Sequence, residues 1–310
     1  MRTPWGPLAI SDAHVHFFSH GFFQTLAAQA PALSAGTIET TVRSLLNWYP
    51  PEAPEDLAAA WVAELDRHGV SRAVLIASVP GDESSVEAAV QRFPDRFWAY
   101  ALVNPLAPGV VARVQAAIQN GGIRGICLFP AMHGYTVADE RVDPVLQLAA
   151  SQPGVVVFVH CGVLSVGIRK KLGLPSRFDM RFSNPLDLHP VALRYPRLPF
   201  IVPHFGAGLF REALMLCDLC PNVYLDTSST NNWTRYLTPP PDLEAVFRQA
   251  LAVAGPERLL FGTDSSFFPR GWHAAIFETQ RDVLHRIGIS AADAAKIFGG
   301  NLDRLLGVGS

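Results

Sequence analysis

The chain has 310 residues, 49% of them hydrophobic and 17% charged, with a formal net charge of −2; this supplies a sizeable core and excludes a disordered chain. No basic stripe or polybasic tail is present, which excludes nucleic acid and anionic membrane as partners, and no apolar run approaches the roughly 18 residues of a helical span. Four cysteines are too few for a disulfide framework, and the opening MRTPWGPLAI lacks the charged segment and long apolar stretch of a signal peptide, so the expectation is a soluble protein in a reducing, cytoplasmic environment.

The first strand expected is PLAISDAHVH (7–16), which ends on His14 and His16. An insert at 17–54, rich in aromatics and prolines such as Trp48, Tyr49, Pro50 and Pro51, reads as a long loop. A helix follows at 55–68, with Leu57, Trp61 and Leu65 at helical spacing. Strand and helix then alternate: 72–78 and 83–93, 97–103 and 107–120, 123–129 and 142–151. The strand at 155–160 leads into a second long loop, 162–186, before a helix at 187–195. The pairs 199–204 and 208–219, 222–227 and 242–254, and 258–264 and 272–287 complete the pattern. Two further helices, 291–298 and 301–306, close the chain. Proline and glycine mark boundaries, as at Asn104-Pro105 and Gly255-Pro256. Cys217 and Cys220 form a C-x-x-C at the end of the 208–219 helix, before Pro221. That position suits packing cysteines better than a redox or metal pair.

Strand–helix alternation argues for a parallel sheet with helical crossovers, and eight repeats argue for closure. The expected architecture is an α/β fold: a (β/α)8 TIM barrel formed as one domain over residues 1–310, with long loops after strands 1 and 5 and extra C-terminal helices. An open doubly wound sheet is the competing fold. Its usual nucleotide role needs a glycine fingerprint after the first strand, which DAHVHFFSHG lacks.

In such barrels chemistry gathers at the carboxyl ends of the strands. Strand 1 ends with His14 and His16, strand 5 with His160, strand 6 with His204 and strand 8 with Asp264. Alternate residues of a strand face one way, so His14 and His16 point to the same side. A single strand-end histidine is commonly a hydrogen-bonded core residue, but five such positions in order describe a site. Imidazoles and a carboxylate suit a divalent transition metal, zinc first, with manganese or iron as alternatives.

The segments DAHVH, VFVHCG, IVPHFGAG, LLFGTDSSF and the closing IFGGNLDRLLG resemble the amidohydrolase superfamily. Within it they are similar to the amidohydrolase 2 branch, which includes aminocarboxymuconate-semialdehyde decarboxylase, resorcylate-type decarboxylases and pyrone-dicarboxylate lactonases. The resemblance runs from residue 8 to about 307. It implies His14, His16, His160 and Asp264 as metal ligands, with His204 beside the metal. Binuclear members carry a bridging carboxylated lysine or a glutamate at the end of strand 4. RGICLFPAMHG has neither, which implies one divalent ion. His133 just beyond reads as a loop or substrate-facing histidine, and His20 as an exposed loop residue. The resemblance also implies a homodimer.

The activity expected is metal-dependent hydrolysis of a small-molecule amide, lactone or related carbonyl compound. Asp264 takes a proton from the attacking water, and His204 donates a hydrogen bond to the carbonyl oxygen or the leaving group. The alternative is non-oxidative decarboxylation of an aromatic or unsaturated carboxylic acid on the same residues. Arg169, Lys170, Lys171, Arg177 and Arg181 crowd the loop after strand 5. They read either as a solvated cationic loop or as an anion clamp, with Arg169 and Arg177 as the substrate contacts. Trp48, Tyr49, Phe129, Phe267 and Phe268 are expected to wall a flat substrate, with Trp48, Phe129 and Phe267 touching it. Cys161 abuts His160 but points away from it by strand period, as a packing residue.

Overall fold

The computed structural model describes residues 1–29, 35–176, 178–228 and 233–307. Eight parallel strands pair in sequence order: β1 (Ser11–Phe17), β2 (Arg72–Ala77), β3 (Phe97–Val103), β4 (Ile123–Leu128), β5 (Val156–Val159), β6 (Phe200–Val202), β7 (Val223–Asp226) and β8 (Leu259–Leu260). The sheet closes on itself where β8 and the chain just after it meet β1. There Ala13 N donates to Phe261 O at 2.8 Å, Asp264 N to His14 O at 2.9 Å and His16 N to Ser265 O at 2.7 Å. The result is the expected TIM barrel, with helices outside the strands.

Apolar runs make these strands because both faces are buried. One face, carrying residues such as Val15, Phe17, Leu75, Val157 and Leu225, packs against the helices. The other fills the barrel with Val74, Ile76, Tyr100, Phe158, Ile201 and Leu260, and Leu302, Leu305 and Leu306 pack against this interior from the C-terminal helices. Gly125 is required here, since a Cβ would sit 2.1 Å from Tyr100 Cδ1.

β1 carries an irregularity that matters for the site. Asp12 pairs with Ala73 and Val15 with Leu75, so β1 holds one extra residue between these pairs. The His14 N–H displaced there is satisfied by Asp12 Oδ1 at 2.9 Å. The same carboxylate accepts from Thr263 N, Thr263 Oγ1 and Trp272 Nε1, at 3.1, 2.6 and 2.7 Å. Asp12 thus staples the β1–β8 seam.

Several elements differ from expectation. The first strand starts at Ser11, because Gly6–Pro7 turns back in a two-residue hairpin with Arg2–Thr3. β6 and β8 stop short of His204 and Asp264, whose backbones leave the extended region at φ 55° and 57°. The 17–54 insert contains helices α1 (His20–Ala28) and α2 (Ala35–Leu46), ahead of α3 (Pro54–His68). Phe22, Phe23, Leu26 and Ala27 of α1 pack with Ile38, Val42 and Leu46 of α2 and with Ile168, Leu172 and Leu174 of the loop after β5. This burial makes amphipathic helices of what reads as loop. Cys217 and Cys220 are free and buried, as is Cys161. No helix among the described residues is long and apolar enough to cross a membrane.

Candidate metal centre

β1 delivers His14 and His16 to the end of the barrel, and the segment after β8 delivers Asp264 beside them. His14 Nε2 lies 3.3 Å from His16 Nε2. Asp264 Oδ1 lies 3.2 Å from His16 Nε2 and 3.7 Å from His14 Nε2. All three ligating atoms fall within 4.8 Å of one another. A tetrahedral ion with bonds of about 2.0–2.2 Å needs donors roughly 3.3–3.6 Å apart, so the separations fit one.

The second ring nitrogens are engaged in a way that turns lone pairs toward this point. His14 Nδ1 is 2.5 Å from Asp226 Oδ2. His16 Nδ1 is 2.8 Å from Ser78 Oγ, whose own proton goes to Ile76 O at 3.0 Å. A carboxylate, or a hydroxyl whose proton is already donated, only accepts. The network therefore assigns the proton to Nδ1 of each ring and leaves Nε2 as the ligating atom.

Charge follows from burial and pairing. Burial opposes ionisation of Asp226 and Asp264, but the His14 imidazole beside Asp226 outweighs it. The hydrogen bond from His16 and the charge of His14 likewise hold Asp264 well below the usual carboxylate range. Burial opposes the charge of His14 too, and Asp226 overcomes this and raises it. His16, His160 and His204 are all lowered, first by burial.

His160 follows β5 and lines the same cavity, but lies outside the three-donor spacing. Its ring stacks on Phe129 at 5.1 Å between centroids and stands 5.5 Å from His204. Its Nδ1 is buried without a protein partner. His160 thus lines the cavity without joining the three-donor group, so its expected place as a fourth ligand is not reached in this geometry.

His204 sits in a strained turn after β6. His204, Phe205 and Ala207 all take left-handed φ, at 55°, 53° and 43°, each costing about 1–3 kcal/mol. The turn is held by Val163 N donating to Ala207 O at 2.8 Å. Gly162 passes so close that a Cβ there would lie 2.1 Å from Gly206 O. His204 Nδ1 donates to Ser228 O at 2.9 Å. A carbonyl only accepts, so Nε2 of the neutral ring is an acceptor.

These groups line a cavity of about 410 Å³, walled by Phe18, Phe22 and Leu46 of the cover, by Leu164, Val166 and Ile168 after β5, and by Phe129 and Phe267. Lys171 and Arg270 also line it. Arg270 donates to Ser266 Oγ at 2.7 Å and lies 5.0 Å from the Phe267 ring, with Lys171 Nζ 5.9 Å from the same ring.

The expected substrate contacts divide. Phe129 and Phe267 line the cavity. Trp48 does not. It is half-buried against Phe23 and Phe268, at 6.5 and 5.9 Å between centroids, because it fills the space between cover and core. Arg169 does not line it either. Its two terminal nitrogens donate to Gln29 Oε1 at 2.6 Å and Pro175 O at 3.0 Å, tying the loop after β5 to the end of α1. Arg177 lies outside the described residues. Arg181 pairs with Asp179, Tyr49 Oη accepts from Gln24 at 3.4 Å, and Phe268 packs on Trp61 at 4.9 Å. His20 contacts Gln24 at 3.1 Å. His133 stacks near Tyr135 at 6.5 Å, with burial lowering its imidazole to about 4; neither histidine lines the cavity.

Sequence reasoning passed over Asp226, Ser228, Ser78 and Arg270. For Asp226 the signal was in the NVYLDT run. Tyr224 packs inside the barrel, and period two places Asp226 on the same face.

Residues 11–308 match the family model Amidohydro_2, described as Amidohydrolase. A stretch of 105 residues is 31% identical to Protein fluG of Emericella nidulans, covering 34% of this chain and 12% of that protein. The chain therefore spans only a small part of the length of this curated relative. Among solved structures it is similar to 5-carboxyvanillate decarboxylase of Novosphingobium aromaticivorans complexed with manganese and 4-hydroxy-3-methoxy-5-nitrobenzoic acid. The TM-score is 0.64 at 17% identity, over 98% of this chain and 97% of that one. An amidohydrolase of Burkholderia multivorans with bound zinc gives a TM-score of 0.61 at 17% identity, over 96% and 99%. At these identities the two structures establish the shared fold. The family match spans nearly the whole length, and the chain belongs to the amidohydrolase family, in its amidohydrolase 2 branch.

Proposed function

We propose that this chain is a metal-dependent hydrolase that directs water at the carbonyl carbon of a small anionic amide, lactone or related substrate, with one zinc ion as cofactor. The observation that carries the reading is the set of three donors spaced for one ion, with lone pairs turned together and opening on the cavity that also holds His204. A bound zinc polarises the carbonyl oxygen and lowers the pKa of a water toward ~7.

The chain's own residues supply the proton chemistry. Asp264 Oδ1 stands among the three donors, and a carboxylate beside a divalent cation is held ionised, so its role would be to accept a hydrogen bond from the attacking water and orient it. His204 is the better base. It is neutral, its Nδ1–H is anchored on Ser228 O, and its Nε2 is an acceptor. It takes the water proton as the new C–O bond forms, then returns that proton to the leaving group as the scissile bond breaks. The sequence expectation gave abstraction to Asp264 and donation alone to His204; here the proton transfer is assigned to His204 instead.

Anionic substrate chemistry is supported by the lining. Among the described residues, Lys171 and Arg270 are the lysine and arginine of the cavity, and Asp264 its carboxylate. Phe18, Phe22, Phe129 and Phe267 suit a flat apolar body.

The test is incubation of the zinc-loaded protein in 18O-water with carboxylated lactones, amides and aromatic acids, read by mass spectrometry. The expected outcome is 18O in the organic product with no carbon dioxide released, and His204→Asn is expected to lower kcat by about 10²–10⁴-fold. Carbon dioxide release without 18O incorporation would overturn hydrolysis in favour of decarboxylation.

A further inference from the structure

β7 offers no ligand to the three-donor group, yet its end touches two of the site's imidazoles. Asp226 Oδ2 is 2.5 Å from His14 Nδ1, and Asp226 Oδ1 accepts from Ser228 N at 2.7 Å. Ser228 Oγ stands 3.1 Å from His14 Nδ1 and 2.9 Å from His204 Nδ1, while Ser228 O accepts from His204 Nδ1. Both residues are 0% exposed. We infer that Asp226 and Ser228 are a positioning pair: Asp226 fixes the tautomer and aim of His14, and Ser228 ties that ring to His204, so that ion binding and acid–base chemistry share one scaffold. The inference rests on the metal reading above.

The scaffold is itself braced. Thr227, between the two, donates through Oγ1 to Gln280 Oε1 at 2.7 Å, and its carbonyl accepts from Gln280 Nε2 at 2.8 Å. Thr227 N donates to Leu260 O at 2.9 Å. Gln280 is buried on the helix Ala274–Arg286. Thr227 therefore locks the segment from outside the barrel while its two neighbours act inside. Neither Asp226 nor Ser228 lines the cavity, so neither is a catalytic residue. A carboxylate behind a ligating histidine sets the ring's tautomer, its orientation and its basicity.

The experiment measures zinc affinity by competition with a chromophoric chelator on wild type, Asp226→Asn and Ser228→Ala. Asp226→Asn is isosteric and removes the charge that holds His14 Nδ1–H. It is expected to weaken zinc binding by about 10–100-fold. Ser228→Ala is expected to weaken it by a smaller factor, because Asp226 and the residue-228 carbonyl remain. A second measurement needs no variant. In wild-type protein loaded with zinc and labelled with 15N at histidine, His14 is expected to carry its proton on Nδ1. Zinc affinity of D226N within about twofold of wild type, below the range expected for such partners, would overturn the inference. So would a His14 proton on Nε2. Failure of the wild type itself to take up zinc would remove the metal reading and the inference with it, whereas zinc bound equally by wild type and D226N removes the inference alone.

Discussion

A methyl group on Gly262 would lie 2.6 Å from Asp226 Oδ1, 3.0 Å from His14 Cβ and 3.3 Å from Ser228 Cβ. Three groups of the site thus close over a position that tolerates only hydrogen. Nothing at that point is the flexible end of a long side chain. The Asp226 carboxylate is held from both sides, and His14 is fixed by its own backbone bond to Asp12. Gly262→Ala is therefore expected to push Asp226 off His14 Nδ1. Zinc affinity by chelator competition should fall by about tenfold or more, the scale of loss when a histidine loses its carboxylate partner. Retention of wild-type affinity would show that β7 yields at no cost to the site. The same economy of space is visible at His204 and Asp264. Both take left-handed backbones that place them beyond the ends of their strands, and such strain persists only where neighbours over-determine it.

Among the elements, α1 and α2 have no counterpart in the strand–helix alternation. Their apolar sides meet the loop after β5 to form a separate cluster over the cavity. Phe22 is 2% exposed, stacks on Phe18 at 4.2 Å between centroids and lines the cavity. Phe22→Ala is expected to cost about 3–5 kcal/mol of packing, concentrated in this cover. Hydrogen exchange should accelerate in residues 20–28 and 35–46 and stay slow in β2–β5. Acceleration throughout the barrel would show that cover and barrel unfold as one unit. The strands were legible in the sequence because burial on both faces leaves continuous apolar runs bounded by polar ends. For the same reason His14, His16 and Asp264 stood out as the places where those runs stop. The cover helices were not legible, since the prolines and aromatics around them masked the spacing of Phe22, Leu26, Val42 and Leu46. Trp48 and Arg169 do not line the cavity, so their reading as substrate contacts is not met, because residue type in a loop does not say which way the side chain turns. Asp226 was hidden by being part of a strand rather than its punctuation.

For the whole molecule, an ion bound only by the folded state adds RT ln(1 + [L]/Kd) to stability. Zinc at about 100 times Kd is expected to add about 2.7 kcal/mol, and calorimetry should show Tm rising with zinc and falling again with a chelator. His14→Ala and Asp264→Ala should abolish this dependence, since each deletes a donor from the group. A zinc-dependent rise that survives both changes would place the ion elsewhere.

His14 and His16 belong to the first barrel strand, and Asp264 comes after the last, where the two meet across the closing seam. A nascent chain emerging from the ribosome exposes the paired imidazoles long before their carboxylate is translated. An ion held by these three donors would find its site complete only once the last strand has closed on the first, so its binding would report closure of the sheet.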